Sequence, residues 1–328
     1  MREAQRMKLF RSKVGKAEKA SNRRSYICMK RGCANKAIKS HSQQKMCQLA
    51  SIAEDSWVYS IDKGLYQMFS GKPREILVKK TITESSRYKG YCNGHDTEIF
   101  SEIENDNLDV SLAKHNLLLL LRCVSYEVAN KRDAYLRQQD LLEHAGELMS
   151  WDGRKNYEAS GFGMRLFLEK DAPYYFELLD QIESSGCYDG IEFNSFTINK
   201  NLGVSSTTCF SPFRTQHSDW MSENLDKPQP FVSLSVVPTL DKTHVSFCWF
   251  KEFSQHCSEF RLLTPESANI IELINMYIFT ESEDVCVAPS LWEKLTSSER
   301  QQIYKHMGNS DTLENLPNIP LVLEAKCI

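Results

Sequence analysis

The stretch Tyr26-Ile27-Cys28-Met29-Lys30-Arg31-Gly32-Cys33, answered much later by Gly90-Tyr91-Cys92-Asn93-Gly94-His95-Asp96, decides how the first third of this chain is read. The short spacer between Cys28 and Cys33 lets two thiolates bend onto one ion, and Gly32 supplies a permissive backbone just before the second sulfur. Cys92 and His95 have the spacing of neighbours in the first turn of a helix. Asp96-Thr97-Glu98 adds acidic residues suited to the positive end of that helix. Three sulfurs and one nitrogen form a tetrahedral set that suits structural zinc and a reducing compartment. Cys28, Cys33, Cys92 and His95 are therefore the expected ligands, with His41 and Cys47 as alternatives on spacing alone.

Charge is segregated around this motif. Residues 1–45 contain 14 Lys or Arg against only Glu3 and Glu18, a formal +12, so the rest of a chain of net charge −3 must carry −15. Such a cationic segment neutralises phosphates and releases their counterions. Arg11, Lys13, Lys16, Arg23, Arg24, Lys30 and Arg31 are the expected contacts to DNA or RNA. With few apolar anchors, residues 1–25 read as a basic arm, either disordered or a helix that orders on a partner.

At 328 residues, 41% apolar and 25% charged, the chain has room for about two domains and the composition of a soluble globular protein. Its longest apolar run, Leu117 to Leu121, falls well short of the roughly 18 residues that cross a bilayer, and reads as a buried helix. The first 25 residues contain no apolar stretch followed by a small-residue cleavage site, which predicts a cytoplasmic protein without membrane contact. Eleven cysteines, an odd number spread over a long chain, read mostly as reduced thiols. Cys123, Cys209, Cys248 and Cys286, set among apolar neighbours, are expected to pack as small hydrophobes.

The pattern predicts an α+β protein. Residues 26–104 form a first folded unit with short strands near Trp57-Val58-Tyr59 and Glu75-Ile76-Leu77-Val78; residues 105–328 form a larger helical and antiparallel-sheet domain open to a protein partner or self-association. Ser111 to Met149 reads as two helices, and Ala172 to Glu183 as another, with Pro173 near its start and Gly186 past its end. Val232, Leu234 and Val236, then Val245, Phe247 and Trp249, alternate as in a half-buried hairpin. Helices near 267–279 and 290–306 and a last strand at Ile319 to Leu323 complete the expectation.

A knuckle followed much later by two ligands at a helix start is the plan of a treble clef. Together with Ala37-Ile38-Lys39-Ser40-His41, these segments resemble the HNH (ββα-metal) endonucleases, and bacterial proteins sharing Ser-His and Cys-x2-His-Asp segments. The resemblance covers about residues 26–104. It implies that His41 is the general base and Asp96 a ligand of a catalytic Mg2+ or Mn2+, with zinc structural and phosphodiester hydrolysis as the activity. Ser40 stands where such nucleases commonly carry an acidic residue or a second histidine, and Asp96 stands where they carry a helix histidine. The reading of a non-catalytic zinc-finger adaptor or sensor therefore stays open beside the nuclease. Joining of a nuclease-like module to a larger domain is found in phage defence, a fold-level analogy only.

Other motifs are weak. Gly161-Phe162-Gly163 lacks the setting of a dinucleotide loop, and Gly71-Lys72-Pro73 that of a phosphate loop. His244, Cys248, His256 and Cys257 are expected to be structural, and Glu98, Glu102 and Glu104 a solvated acidic face.

Overall fold

The computed structural model describes residues 3–64, 75–104, 107–212, 224–307 and 319–323; Gly71-Lys72-Pro73 lies outside them. Helix and antiparallel sheet are mixed, as expected. The first element, α1 (Glu3–Arg23), is followed by β1 (Ser40–His41), β2 (Trp57–Ile61), β3 (Leu77–Thr81), β4 (Arg87–Tyr88) and α2 (Asn93–Phe100). Next come the 33-residue α3 (Ala113–Ala145), α4 (Trp151–Leu166) and α5 (Ala172–Ser185). Strands β5 (Ile191–Ile198), β6 (Val204–Phe210), β7 (Val232–Pro238) and β8 (Thr243–Phe250) then precede α6 (Ile270–Glu281), β9 (Val285–Val287), α7 (Pro289–Lys294) and α8 (Ser297–His306).

Seven strands form one antiparallel sheet in the order β3-β2-β9-β6-β7-β8-β5, while β1 and β4 make a separate two-stranded ribbon. The expected boundary at residue 104 does not divide the sheet. Tyr59 and Ser60 of β2 pair with Val287 and Cys286 of β9, so the hairpin assigned to the zinc unit is the sheet's outer edge. The reason is hydrogen bonding: a two-stranded hairpin alone is marginal in water, and β9 satisfies its open side.

The β7–β8 hairpin lies where its alternation places it, with Leu234 opposite Phe247 and Val236 opposite Val245. The expectation of a half-buried sheet is corrected. Every residue of β8 is buried, and all of β7 but Val237. On one face Phe247 stacks on Phe260 and Phe210 on Tyr277, an aromatic core beneath α6. The other face carries Ser195, Ser233, Ser235, Ser246 and Cys248, and α3 lies over it. Asn116 of α3, fully buried, accepts hydrogen bonds from Ser195 Oγ and Ser246 Oγ (both 2.6 Å), and Cys123 Sγ meets Ser235 Oγ at 3.4 Å. Small hydroxyl side chains let the helix approach closely, and each polar group finds a partner inside.

Three further expectations change. Ser111 to Met149 forms one long helix, because no Gly or Pro interrupts Ala113 to Ala145 and Gly146 ends it. The helix near 290–306 is two, α7 and α8, separated at Leu295-Thr296, where Thr296 and Glu299 form a capping box. Residues 319–323 are not a strand; Val322 N instead donates to Asn275 Oδ1 at 3.0 Å. Helix α5 ends at Gly186 in a left-handed conformation (φ 64°), as its sequence predicts.

The basic arm is a helix packed on its own chain. Helix α1 lies along α3 of the same chain, with Phe10, Val14 and Ala17 packed on Leu141 and Ala145. Asp133 accepts hydrogen bonds from Ser21 Oγ (3.2 Å) and Tyr26 OH (2.8 Å), and Arg24 pairs with Asp140. Phe10, Val14 and Ala17 fall on one helical stripe that anchors the arm, while Met7 and Leu9 stay exposed.

Candidate metal centre

The knuckle closes through local backbone hydrogen bonds. Cys28 N donates to Asn35 O at 2.9 Å, Cys33 N to Lys30 O at 3.1 Å and Ala37 N to Tyr26 O at 2.8 Å. Gly32 takes φ 79°, the left-handed conformation that its place before Cys33 requires. Met29 N donates to Gly90 O (2.9 Å) and Ile38 N to Tyr91 O (2.8 Å), which bring the knuckle against the segment leading to Cys92. Cys92 is the N-cap residue of α2, and His95 lies in that helix's first turn.

Cys28, Cys33, Cys92 and His95 converge, with one ligand atom from each lying within 4.8 Å of all the others. His95 Nδ1 stands 3.4 Å from both Cys28 Sγ and Cys92 Sγ, and Cys33 Sγ stands 4.0 Å from Cys92 Sγ. A tetrahedral zinc with ordinary bond lengths needs S–N edges of about 3.6 Å and S–S edges of about 3.8 Å. The donor set therefore fits a metal ion and is compatible with zinc. Backbone N–H donation at His95 is the main cause that holds the Cys92 thiol at about 7, below its ordinary value, with neighbouring thiols and Asn35 assisting. Asn35 Nδ2 lies 4.0 Å from Cys92 Sγ, an outer-shell donor of the kind that tunes ligating sulfur. Beneath the ligands, Tyr91, Ile99, Phe100 and Ile103 pack with Leu118 and Leu119 of α3.

Among the described residues this is the single group of three or more His, Cys, Asp or Glu side chains arranged to hold a metal. Cys47, the alternative ligand, lies on the turn Lys45–Leu49 outside it. His244 bonds Thr197 Oγ1 at 2.9 Å, and Cys248 and Cys257 are buried. The acidic row after Asp96 is not simply solvated: Glu102 pairs with Lys114 at 2.5 Å and Glu104 with Arg122 at 2.7 Å. The ten cysteines described are all free thiols; Cys123, Cys248 and Cys286 are buried as expected, Cys209 only partly.

His41 and Asp96 have different surroundings. Ser40 and His41 are consecutive on β1, so their side chains point to opposite sides of the ribbon. Asp96 has Ser40 and Arg122 beside it; burial raises its carboxyl above the ordinary range, and those two neighbours pull it back. His41 is held below the ordinary imidazole value by burial, with the backbone of Thr83 and Ile82 opposing this and Arg87 and Lys45 adding to it. Its Nε2 is buried without a hydrogen-bond partner. Ser40, noticed in the sequence only as a departure from the nuclease pattern, is the residue of β1 near Asp96, and its Oγ is buried without a hydrogen-bond partner. Arg122 went unnoticed, because its charge reads as an interruption of an apolar helix; it stacks 4.3 Å over Phe100 at the end of α2.

Of the basic residues, Arg11, Lys16, Arg23 and Arg31 are exposed and Lys13 is half-buried. Arg24 is committed to Asp140, and Lys30 to Glu183 at 3.3 Å. No helix described is long and apolar enough to cross a membrane. Comparison with protein-family models, curated proteins and solved structures gives no match to this chain.

Proposed function

We propose that this is an HNH-like protein, stabilised by structural zinc, that binds nucleic acid across the outer face of α1 and the knuckle. The observation supporting this reading is the division of α1: Phe10, Val14 and Ala17 face α3, while Arg11, Lys16, Lys19 and Arg23 are exposed. Zinc holds the knuckle, and Tyr26 and Arg24 tie it to α1 through α3, so the exposed cations keep a fixed spacing suited to a phosphate backbone. The test is binding of duplex DNA and of RNA at several salt concentrations. Reversing Lys16, Lys19 and Arg23 to Glu should weaken binding and lower the salt slope by about one for each phosphate no longer neutralised. Unchanged affinity and slope would remove α1 as the binding surface.

Phosphodiester hydrolysis is the second reading, favoured by one observation: the unpartnered Nε2 of His41, on an imidazole kept neutral by burial, is in the form a general base needs. A catalytic Mg2+ or Mn2+ would take Asp96 as its carboxylate. Against it stands Ser40, which takes the place beside Asp96 that the base would need. Plasmid and RNA cleavage with Mg2+, Mn2+ or no metal decides the matter. Cleavage abolished in His41→Ala supports hydrolysis, cleavage retained removes His41 as the base, and no cleavage of either substrate selects the non-catalytic adaptor.

A further inference from the structure

A cleft of about 570 Å³ lies between α1, the β1–β4 ribbon, the ends of the β2–β3 hairpin and the middle of α3. Neither the metal centre nor the outer face of α1 uses it, and its volume lies in the range of sites that enclose small molecules. Four of its lining residues are cations from the sheet and ribbon: Lys39 precedes β1, Lys80 lies on β3, and Arg87 and Lys89 lie on and beside β4. Among the described residues, none of the four has a carboxylate partner within ion-pair distance. Lys80 Nζ donates to Ile61 O (2.8 Å) and Lys89 Nζ to Arg24 O (2.5 Å), which are neutral carbonyls, while Lys39 and Arg87 are exposed at the rim.

The remaining charges are arranged differently. Lys63 Nζ reaches Asn130 Oδ1 at 2.9 Å and sits 4.5 Å over the Tyr126 ring, with Glu283, Asp284 and Glu127 acting on it from below. Glu18 comes from α1, Asp62 from the end of β2 and Asp133 from α3; Glu84, in the β3–β4 turn, is held by Thr81 Oγ1 at 3.0 Å. Asp133 accepts from Tyr26 OH and pairs at 3.5 Å with Arg137 of α3, the sixth cation of the lining, and Asp62 accepts from Gly64 N. Four cations thus line the cleft without a carboxylate at ion-pair distance. Burial first, and then Lys39, Arg132 and Arg24, disfavour the charge on Lys89, with Asp133 opposing them. Like-charged neighbours act in this way until an anion enters among them.

We infer that this cleft binds a nucleotide, its phosphate held by Lys39, Lys80, Arg87 and Lys89 and its hydroxyl or amino donors facing Glu18 and Asp62. A phosphate offers several strong acceptors to these cations, and the carboxylates of Glu18 and Asp62 can accept from donors that inorganic phosphate lacks. The same chemistry can arrive as a free nucleotide or as the phosphorylated end of a strand. The site is separate from the outer face of α1 and does not depend on duplex binding there.

Calorimetry on the full zinc-loaded chain tests this with AMP, ATP, adenosine, inorganic phosphate, and an oligonucleotide of about ten nucleotides with and without a 5′-phosphate. Binding of AMP or ATP, with adenosine and phosphate each weaker, supports a free nucleotide; binding restricted to the phosphorylated oligonucleotide supports a strand end. In either case Lys39→Gln with Arg87→Gln should weaken binding by about tenfold or more, while Lys16→Glu on α1 leaves AMP and ATP binding unchanged. The double variant removes two exposed side chains, and its zinc content and circular dichroism confirm its fold. No binding of any phosphate-bearing probe at about millimolar concentration, or equal binding by the double variant, overturns the inference. Loss of duplex binding in the α1 variants with nucleotide binding retained would separate this site from the proposed function.

Discussion

His95 Nδ1 lies 3.4 Å from Cys28 Sγ, although 67 positions separate the two residues in the chain. Met29 N–Gly90 O and Ile38 N–Tyr91 O bonds bring their segments together, so the four side chains depend on the pairing of the knuckle with the segment that follows β4. Loss of one ligand is therefore expected to loosen more than the knuckle.

The wild-type chain should carry one zinc per molecule by elemental analysis. Cys33→Ser or Cys92→Ser should release it and cost more than about 4 kcal/mol, the range reached when a structural metal is removed. Denaturant titration with a chelator control measures this, and full stability in the metal-free protein would show that the four side chains have no structural role.

Helix α1 is anchored by few side chains. Phe10→Ala should cost about 3 to 5 kcal/mol of the local packing, because Phe10 is 6% exposed against Leu141 and Ala145. Limited proteolysis should then cut within α1 while the sheet persists. Lys16→Ala, at an exposed position, should stay within about 0.5 kcal/mol of wild type.

Asn116 joins α3 to the polar face of the sheet. Its Oδ1 accepts from Ser195 and Ser246, and its Nδ2 donates to Val110 O (2.8 Å) and Leu112 O (2.9 Å). Asn116→Leu keeps the branching but removes both the acceptor of the two serines and the donor to Val110 O, which should cost about 3 kcal/mol. A thermal shift too small to measure would mean that the hydroxyls find other partners.

His244 should titrate below the ordinary imidazole value of 6.5, chiefly because of burial, with Lys242 acting in the same direction and Asp109 and Asp241 opposing. Above that value both folded and unfolded states are neutral there, and the residue contributes nothing to pH dependence. As pH falls below it, the unfolded chain takes up the proton first, so stability declines towards the folded-state value. NMR of the imidazole Cε1 proton gives the titration directly, and His244→Gln should flatten that part of the acid decline.

Local readings survived where the determining physics is local. The Cys28–Cys33 and Cys92–His95 pairs that can converge on one metal, the left-handed Gly32 and Gly186, and the β7–β8 hairpin rest on spacing, backbone freedom and alternation, each legible along a few residues. The long-range readings did not survive. Ser233, Ser235 and Ser246 look like a solvent face until α3 covers them, and a basic arm looks unanchored until its stripe of three apolar residues meets Leu141 and Ala145.

The sequence by itself determined which side chains can hold a metal and where most helices and strands lie, though not where each one ends, because chemistry and periodicity are carried by the residues themselves. The tertiary structure alone decided that β2 and β3 complete the main sheet, that Ser40 is the β1 residue beside Asp96, and that six cations and four carboxylates line one cleft. Those relations depend on which hydrogen-bonding edges and apolar faces remain to be satisfied once the local elements exist, and no single segment contains that information.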